Sequence, residues 1–155
     1  MVSALTALLS VVLAVAAPTL AAPVAGPIVR PFDATGRYSP GHRGVDIATP
    51  VGTVVRSPVT GTVSYAGAVA GNVTLSIEVA GGTGAPGDVV VHLSYLGRVE
   101  VASGAVVRTG DRVGVSGAGH GDPRAGPSVH LGLEVDGLYV DPLPHLSRRR
   151  AVLVR

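Results

Sequence analysis

The stretch Val129-His130-Leu131-Gly132-Leu133-Glu134-Val135-Asp136-Gly137-Leu138-Tyr139-Val140 decides the fold class. Aliphatic and β-branched residues fill both halves. Asp136-Gly137 separates them as a two-residue hairpin turn, because glycine accepts positive φ without steric cost. Strands are therefore predicted over 129–135 and 138–140. The same punctuation runs back along the chain, where short β-branched runs at 44–47, 53–56, 61–66, 73–79, 88–93, 98–101 and 112–116 are bounded by Gly and Pro. Beyond the first 22 residues no stretch keeps a 3.6-residue apolar period. The expected class is all-β: a compact antiparallel arrangement of two sheets, sandwich or barrel-like.

Composition agrees with that class. The chain has 155 residues, enough for one domain, with 46% apolar residues but only 3% aromatics, so Val, Leu, Ile and Ala must build the core. Gly 22 and Pro 12 exceed a fifth of the chain, a load that helices tolerate poorly. All 12 basic residues are Arg. Without lysine there is no P-loop, no Schiff base and no attachment point for biotin or lipoate. The stretch 54–63 has the look of half a biotinyl or lipoyl carrier, but only as a matter of fold. The absence of Cys removes thiolate zinc sites, thiol nucleophiles and disulfides together. A formal charge of +2 with no basic helix speaks against a nucleic-acid partner. Gly82, Gly84 and Gly87 satisfy G-x-G-x-x-G, but a strand follows where a pyrophosphate site needs a helix N-terminus.

Residues 4–17 form an almost unbroken apolar run that leaves through Pro18 and the small residues Ala21 and Ala22. At about 14 residues it is shorter than the ~20 a membrane-spanning helix needs. Its length and alanine-rich exit match a secretory signal peptide, although no Lys or Arg precedes it. The expected organisation is a signal peptide over 1–22, a folded domain over 23–147 and a solvated basic tail over 148–155. The mature protein is expected to be a monomer, secreted or held in the cell envelope, with no stable membrane insertion once the signal is removed.

Without Cys, a metal site must come from His and carboxylates. His42-Arg43-Gly44-Val45-Asp46 sets an imidazole and a carboxylate four residues apart. On a straight strand those positions lie roughly 13 Å apart, so the backbone must curl, and Pro40, Gly41 and Gly44 supply the turn chemistry. Catalytic zinc commonly takes two His and one carboxylate and keeps its fourth position open. His130 and His92 both stand in strand runs as the second imidazole, one as ligand and the other as acid or base.

These residues resemble a family. Pro31-Phe32-Asp33 and Gly41-His42-Arg43-Gly44-Val45-Asp46-Ile47 look like the opening of the lysostaphin-like or LytM-type peptidases of family M23, with their His-x-x-x-Asp zinc motif. The stretch 52–63 resembles that family's next two strands, and His92-Leu93-Ser94 its Tyr-x-His-Leu motif. Residues 106–114 resemble its Val-x-x-Gly-x-x-Ile-Gly segment, and 126–130 with Asp141-Pro142 its closing His-x-His strand and terminal Asp-Pro. The likeness covers 28–146. It implies a lysostaphin-type peptidase domain, a secreted Zn2+ endopeptidase cutting the peptides of bacterial peptidoglycan. Carried over residue by residue, His42, Asp46 and His130 are the zinc ligands. Water activated by the metal attacks the scissile carbonyl, and His92 is the assisting imidazole.

The departures are specific. Ser128 stands where the first His of His-x-His belongs, and a serine hydroxyl cannot take up a proton near neutral pH. Leu131 and Gly132 replace the aromatic and acidic residues that often follow, and Val90 replaces the tyrosine of Tyr-x-His-Leu. The catalytic set is therefore expected to be His92, Ser128 and His120, the last reaching over the metal from the loop 117–127. Tyr38 is a candidate oxyanion donor or a rim residue. Glu134, Asp136 and His145 are expected to be ordinary strand-end, turn and tail residues. The alternative to an active peptidase is a degenerate domain that binds peptidoglycan or regulates another wall hydrolase.

Overall fold

Alternation along the chain builds a β-sheet whose two faces have different tasks. The structure is a computed structural model that describes residues 17–38, 40–79, 88–119 and 126–147. Ten strands follow in order: β1 Ile28–Arg30, β2 Val45–Ala48, β3 Val54–Arg56, β4 Gly61–Val69, β5 Asn72–Val79, β6 Val89–Val99, β7 Val106–Val107, β8 Arg112–Ser116, β9 Ser128–Val135 and β10 Leu138–Val140. A short 3-10 turn, Leu143–His145, closes the described chain. Residues 1–16 of the expected signal peptide 1–22, the tail over 148–155, residues 80–87 and His120 lie outside the described residues.

Every strand pair is antiparallel, in the order β1-β2-β9-β6-β5-β4-β7. The sheet is open, with β1 and β7 at opposite ends of that order. It forks at β6. Val89 to Ser94 pair with β9, and from Leu96 onward the same strand pairs with β8, which carries β3. The class is all-β, as the hairpin and its punctuation predict. Asp136 and Gly137 both take positive φ, 51° and 73°, the backbone of the two-residue turn read from the sequence.

Period-two alternation decides what each face holds. Val129, Leu131 and Leu133 of β9, Val91 and Leu93 of β6, Leu75 and Ile77 of β5, and Val45 and Ile47 of β2 are buried in one aliphatic core. Each such side chain contributes ~1.5–3 kcal/mol through burial. The residues between them, His130, Gly132, Glu134, His92, Ser94, Ser76 and Asp46, therefore belong to the opposite face. The core needs no aromatic residue in its fully buried set.

The separate runs 88–93 and 98–101 read from the sequence are one strand in the structure. Leu93 and Leu96 of β6 face Leu75 and Val73 of β5, so β6 carries one extra residue against β5. That insertion is a β-bulge, and it is where β6 changes partner from β9 to β8. Its Tyr95 has φ 64°, and the Tyr95 carbonyl accepts from the Gly117 N–H at 2.9 Å.

The N-terminal segment is stitched to the C-terminal one. Leu20 is fully buried. Its N–H donates to the His145 carbonyl at 2.8 Å, and its own carbonyl accepts from Ser147 N–H at 2.7 Å. Ala21 N–H donates to Pro58 at 2.9 Å. Leu20→Ala is expected to lower the unfolding free energy by about 3 kcal/mol, the usual cost of a large-to-small change in a core. A urea midpoint unchanged from wild type would show that this segment does not belong to the cooperative unit.

Candidate metal centre

Strand pairing brings together what the sequence spreads over 88 positions. Asp46 on β2 lies directly opposite His130 on β9, and His42 reaches the same point from the turn before β2. His42 Nε2 is 3.0 Å from Asp46 Oδ1 and 3.1 Å from His130 Nδ1; His130 Nδ1 is 2.8 Å from Asp46 Oδ1. Three donor atoms thus form a near-equilateral triangle. Ligands on bonds of ~2.1 Å at tetrahedral angles stand about 3.4 Å apart, so a small metal ion fits above this triangle after a slight spread. His42 and Asp46 are each 5% exposed, which leaves the open side toward the groove next to His130.

The surroundings prepare these groups for a cation. His42 Nδ1 is 2.8 Å from the Pro31 carbonyl, which can only accept, so Nδ1 carries the proton and Nε2 presents its lone pair. The His42 backbone N–H donates to the Asp33 carboxylate, and Asp33 N–H returns a bond to the His42 carbonyl at 3.0 Å. The segment Pro31-Phe32-Asp33 therefore sets both the position and the tautomer of His42. Burial pushes the Asp46 carboxyl up, but hydrogen bonds and charge from His130 and His42 outweigh it and hold the pKa below the usual value. A Cβ on Gly44 would strike the Leu131 carbonyl and meet the His130 ring at 2.6–2.7 Å, so the bare glycine lets both β9 and its imidazole lie close to the turn before β2. An imidazole lone pair and a carboxylate meet a second imidazole nitrogen whose proton, shared with Asp46 at 2.8 Å, holds the place a metal ion would take. The donor set fits zinc.

A groove of about 450 Å³ opens beside this triangle, lined among others by Arg43, Thr74, His92, Tyr95, His130 and Tyr139. The hairpin between β4 and β5 walls one side through Val69, Ala70 and Asn72. His92 faces Gly132 across β6 and β9, one step along from the pair Ser94 and His130. Its Nε2 lies 3.3 Å from Glu134 Oε2 and its Nδ1 2.9 Å from Ser76 Oγ. The carboxylate can only accept, so Nε2 carries the proton and Nδ1 accepts from the Ser76 hydroxyl. Burial lowers the His92 pKa, and the Glu134 charge only partly opposes it. Tyr139 packs on His92 with ring centroids 5.7 Å apart, and the Arg43 guanidinium lies 5.6 Å over the Tyr139 ring.

Glu134 corrects the sequence reading. It is not an idle strand-end charge but the partner of His92, and the signal was present: His130, Gly132 and Glu134 alternate onto one face of β9. Ser76, Tyr95, Tyr139 and Arg43 were also passed over as groove residues. Ser128 is buried opposite Ala48, two residues along β9 from His130. Tyr38 is 87% exposed with the Arg37 guanidinium 5.9 Å over its ring, the place of a rim residue. His145 acts through its backbone carbonyl, which anchors Leu20.

Tyr95 is the other residue that sequence alone does not show. Its ring lies 5.7 Å from that of His130. Burial raises its pKa, with the Asp46 charge adding to the effect, so the phenol lies within the electrostatic reach of the triangle. A left-handed backbone at a bulky residue costs on the order of 1–3 kcal/mol and is met mostly at working sites.

An open antiparallel β domain that offers two imidazoles and a carboxylate to a metal, beside a groove with a further imidazole, has the make-up of a mononuclear metallohydrolase. The comparisons sharpen that class. The model of peptidase family M23 matches residues 40–142, and the chain belongs to that family as a divergent member. Uncharacterised proteins of Mycobacterium tuberculosis and Mycobacterium bovis are 35% identical to it over 121 residues, 75% of this chain and 46% of theirs. The chain thus spans about half the length of these relatives. Among solved structures, a zinc-containing peptidase from Vibrio cholerae aligns with TM-score 0.60 and 26% identity over 77% of this chain and 37% of that one. The antimicrobial peptidase lysostaphin from Staphylococcus simulans aligns with TM-score 0.64 and 22% identity over 84% of this chain and 54% of that one, a likeness of fold.

Proposed function

We propose that the chain is an exported, monomeric zinc endopeptidase that hydrolyses peptide bonds of bacterial peptidoglycan. The observation that carries this reading is the convergence of His42 Nε2, Asp46 Oδ1 and His130 Nδ1 at 2.8–3.1 Å beside an open groove, in a chain of peptidase family M23. His42, Asp46 and His130 would hold the zinc. Bound there, zinc lowers the pKa of water and polarises the scissile carbonyl. The chain's own residues do the rest. Pro31 keeps the His42 lone pair on the metal side, and Gly44 keeps room for the His130 ring. His92 keeps Nε2–H on Glu134 and takes the proton passed between the attacking water and the leaving amine at Nδ1, once the Ser76 hydroxyl gives up its bond there.

A second reading rests on Ser128. With one imidazole fewer than the family motif, the domain could keep metal and groove yet bind wall peptide without cutting it. Release of new amino groups from purified peptidoglycan separates the two. The zinc-loaded full chain is expected to release them, to stop when a chelator removes the metal, and to resume when zinc returns. Tight zinc binding and peptidoglycan binding with no release would favour the degenerate reading.

A further inference from the structure

We infer that Tyr95 is a catalytic residue of this peptidase, its phenol donating a hydrogen bond to the oxyanion that develops on the scissile carbonyl, in the role left open by the serine at 128. The inference rests on the peptidase reading above.

Register carries the argument. Across β6 and β9, His92 faces Gly132 and Ser94 faces His130. The next position of β9 on the same sheet face is Ser128, and β6 leaves β9 before it can face that residue. The bulge occurs at that point. Regular alternation after Leu93 and Ser94 would turn Tyr95 toward the core, among the fully buried aliphatic side chains. The extra residue and the φ of 64° turn it instead into the groove, where it lines the same wall as His92 and His130 with its ring 5.7 Å from the His130 ring. Bulges beside active sites commonly re-aim one side chain in this way. Tyr95 and His92 thus stand on either side of the Ser94–His130 pair along β6. A substrate carbonyl drawn to the open side of the triangle lies between them. A phenol is a donor at neutral pH, and stabilising a developing oxyanion needs a donor rather than a base. The loss of an imidazole at 128 therefore removes a function that Tyr95 can supply.

Tyr95→Phe in the full chain, loaded with zinc, tests this. The ring is kept and only the hydroxyl is removed. We expect zinc affinity and thermal midpoint to match wild type, kcat on peptidoglycan peptide to fall about 100-fold with KM little changed, and affinity for a phosphinate pseudopeptide to fall by a similar factor. The phosphinate mimics the tetrahedral oxyanion, so its dissociation constant reads the hydrogen bond without turnover. Unchanged kcat and phosphinate affinity would overturn the assignment. So would a fall in zinc affinity that accounts for the loss, since the ring would then only prop His130. A wild-type chain that binds zinc but neither cleaves peptide nor binds phosphinate would instead sink the peptidase reading itself.

Discussion

His130→Ala is expected to keep its fold and lose zinc binding by well over 100-fold, whereas Ser128→Ala keeps zinc affinity close to wild type. Changing a group that merely orients a ligand costs 10–100-fold in metal affinity, and His130 offers the metal a donor atom itself. Its removal also takes away the larger of the two histidine contributions that hold Asp46 ionised, leaving His42 alone to oppose burial. The fold should survive because the aliphatic neighbours Val129 and Leu131, not His130, fill the core. Competition against a chromophoric chelator measures both affinities, and far-ultraviolet circular dichroism checks the fold. Two variants that both hold one tight zinc would remove His130 from the ligand set.

His92→Ala is expected to lower kcat by about 10²–10⁴-fold with one zinc still bound, the range for removing an acid–base group. The companion variant Glu134→Gln gives the same imidazole a pH signature. Burial lowers the His92 pKa and the Glu134 charge raises it. Removing that charge lowers it further, so the acidic limb of the kcat/KM profile moves to lower pH. A profile fixed in place, or one moved to higher pH, would take the proton-handling role from His92. The arrangement behind this prediction is a row on one sheet face: Ser76, His92 and Glu134 on β5, β6 and β9, bonded in turn across neighbouring strands.

Much of the fold was legible in the sequence because strand signals are local. Asp136-Gly137 specifies its turn by itself, and alternation along 128–135 assigns each side chain to a face. Half of the candidate triangle was legible for a different reason: His42 and Asp46 are neighbours in sequence and a chain without cysteine leaves few other donors, but the choice of His130 over His92 came from the family resemblance. What sequence did not show depends on pairing. Glu134 meets His92 only because β6 and β9 pair in one register, which no local pattern specifies. Tyr95 was hidden by its bulge, since strict alternation sends it inward. Strand β7 was missed because two residues carry too little pattern, and β1 because Pro27 and Pro31 enclose its three residues and read as loop punctuation.

If the chain is exported through a leader, as proposed, the buried Leu20 has a consequence for maturation. A leader peptidase would meet two stretches of small residues, Ala14-Val15-Ala16 and the alanines at 21 and 22. A cut after Ala22 would discard the leucine seated between Pro58 and the 145–147 segment, and would open the domain beneath it. A cut after Ala16 would release a chain that still carries its own plug. Under the proposed export, leader removal and domain closure would therefore draw on the same few residues, and only the upstream cut would leave Leu20 in its seat.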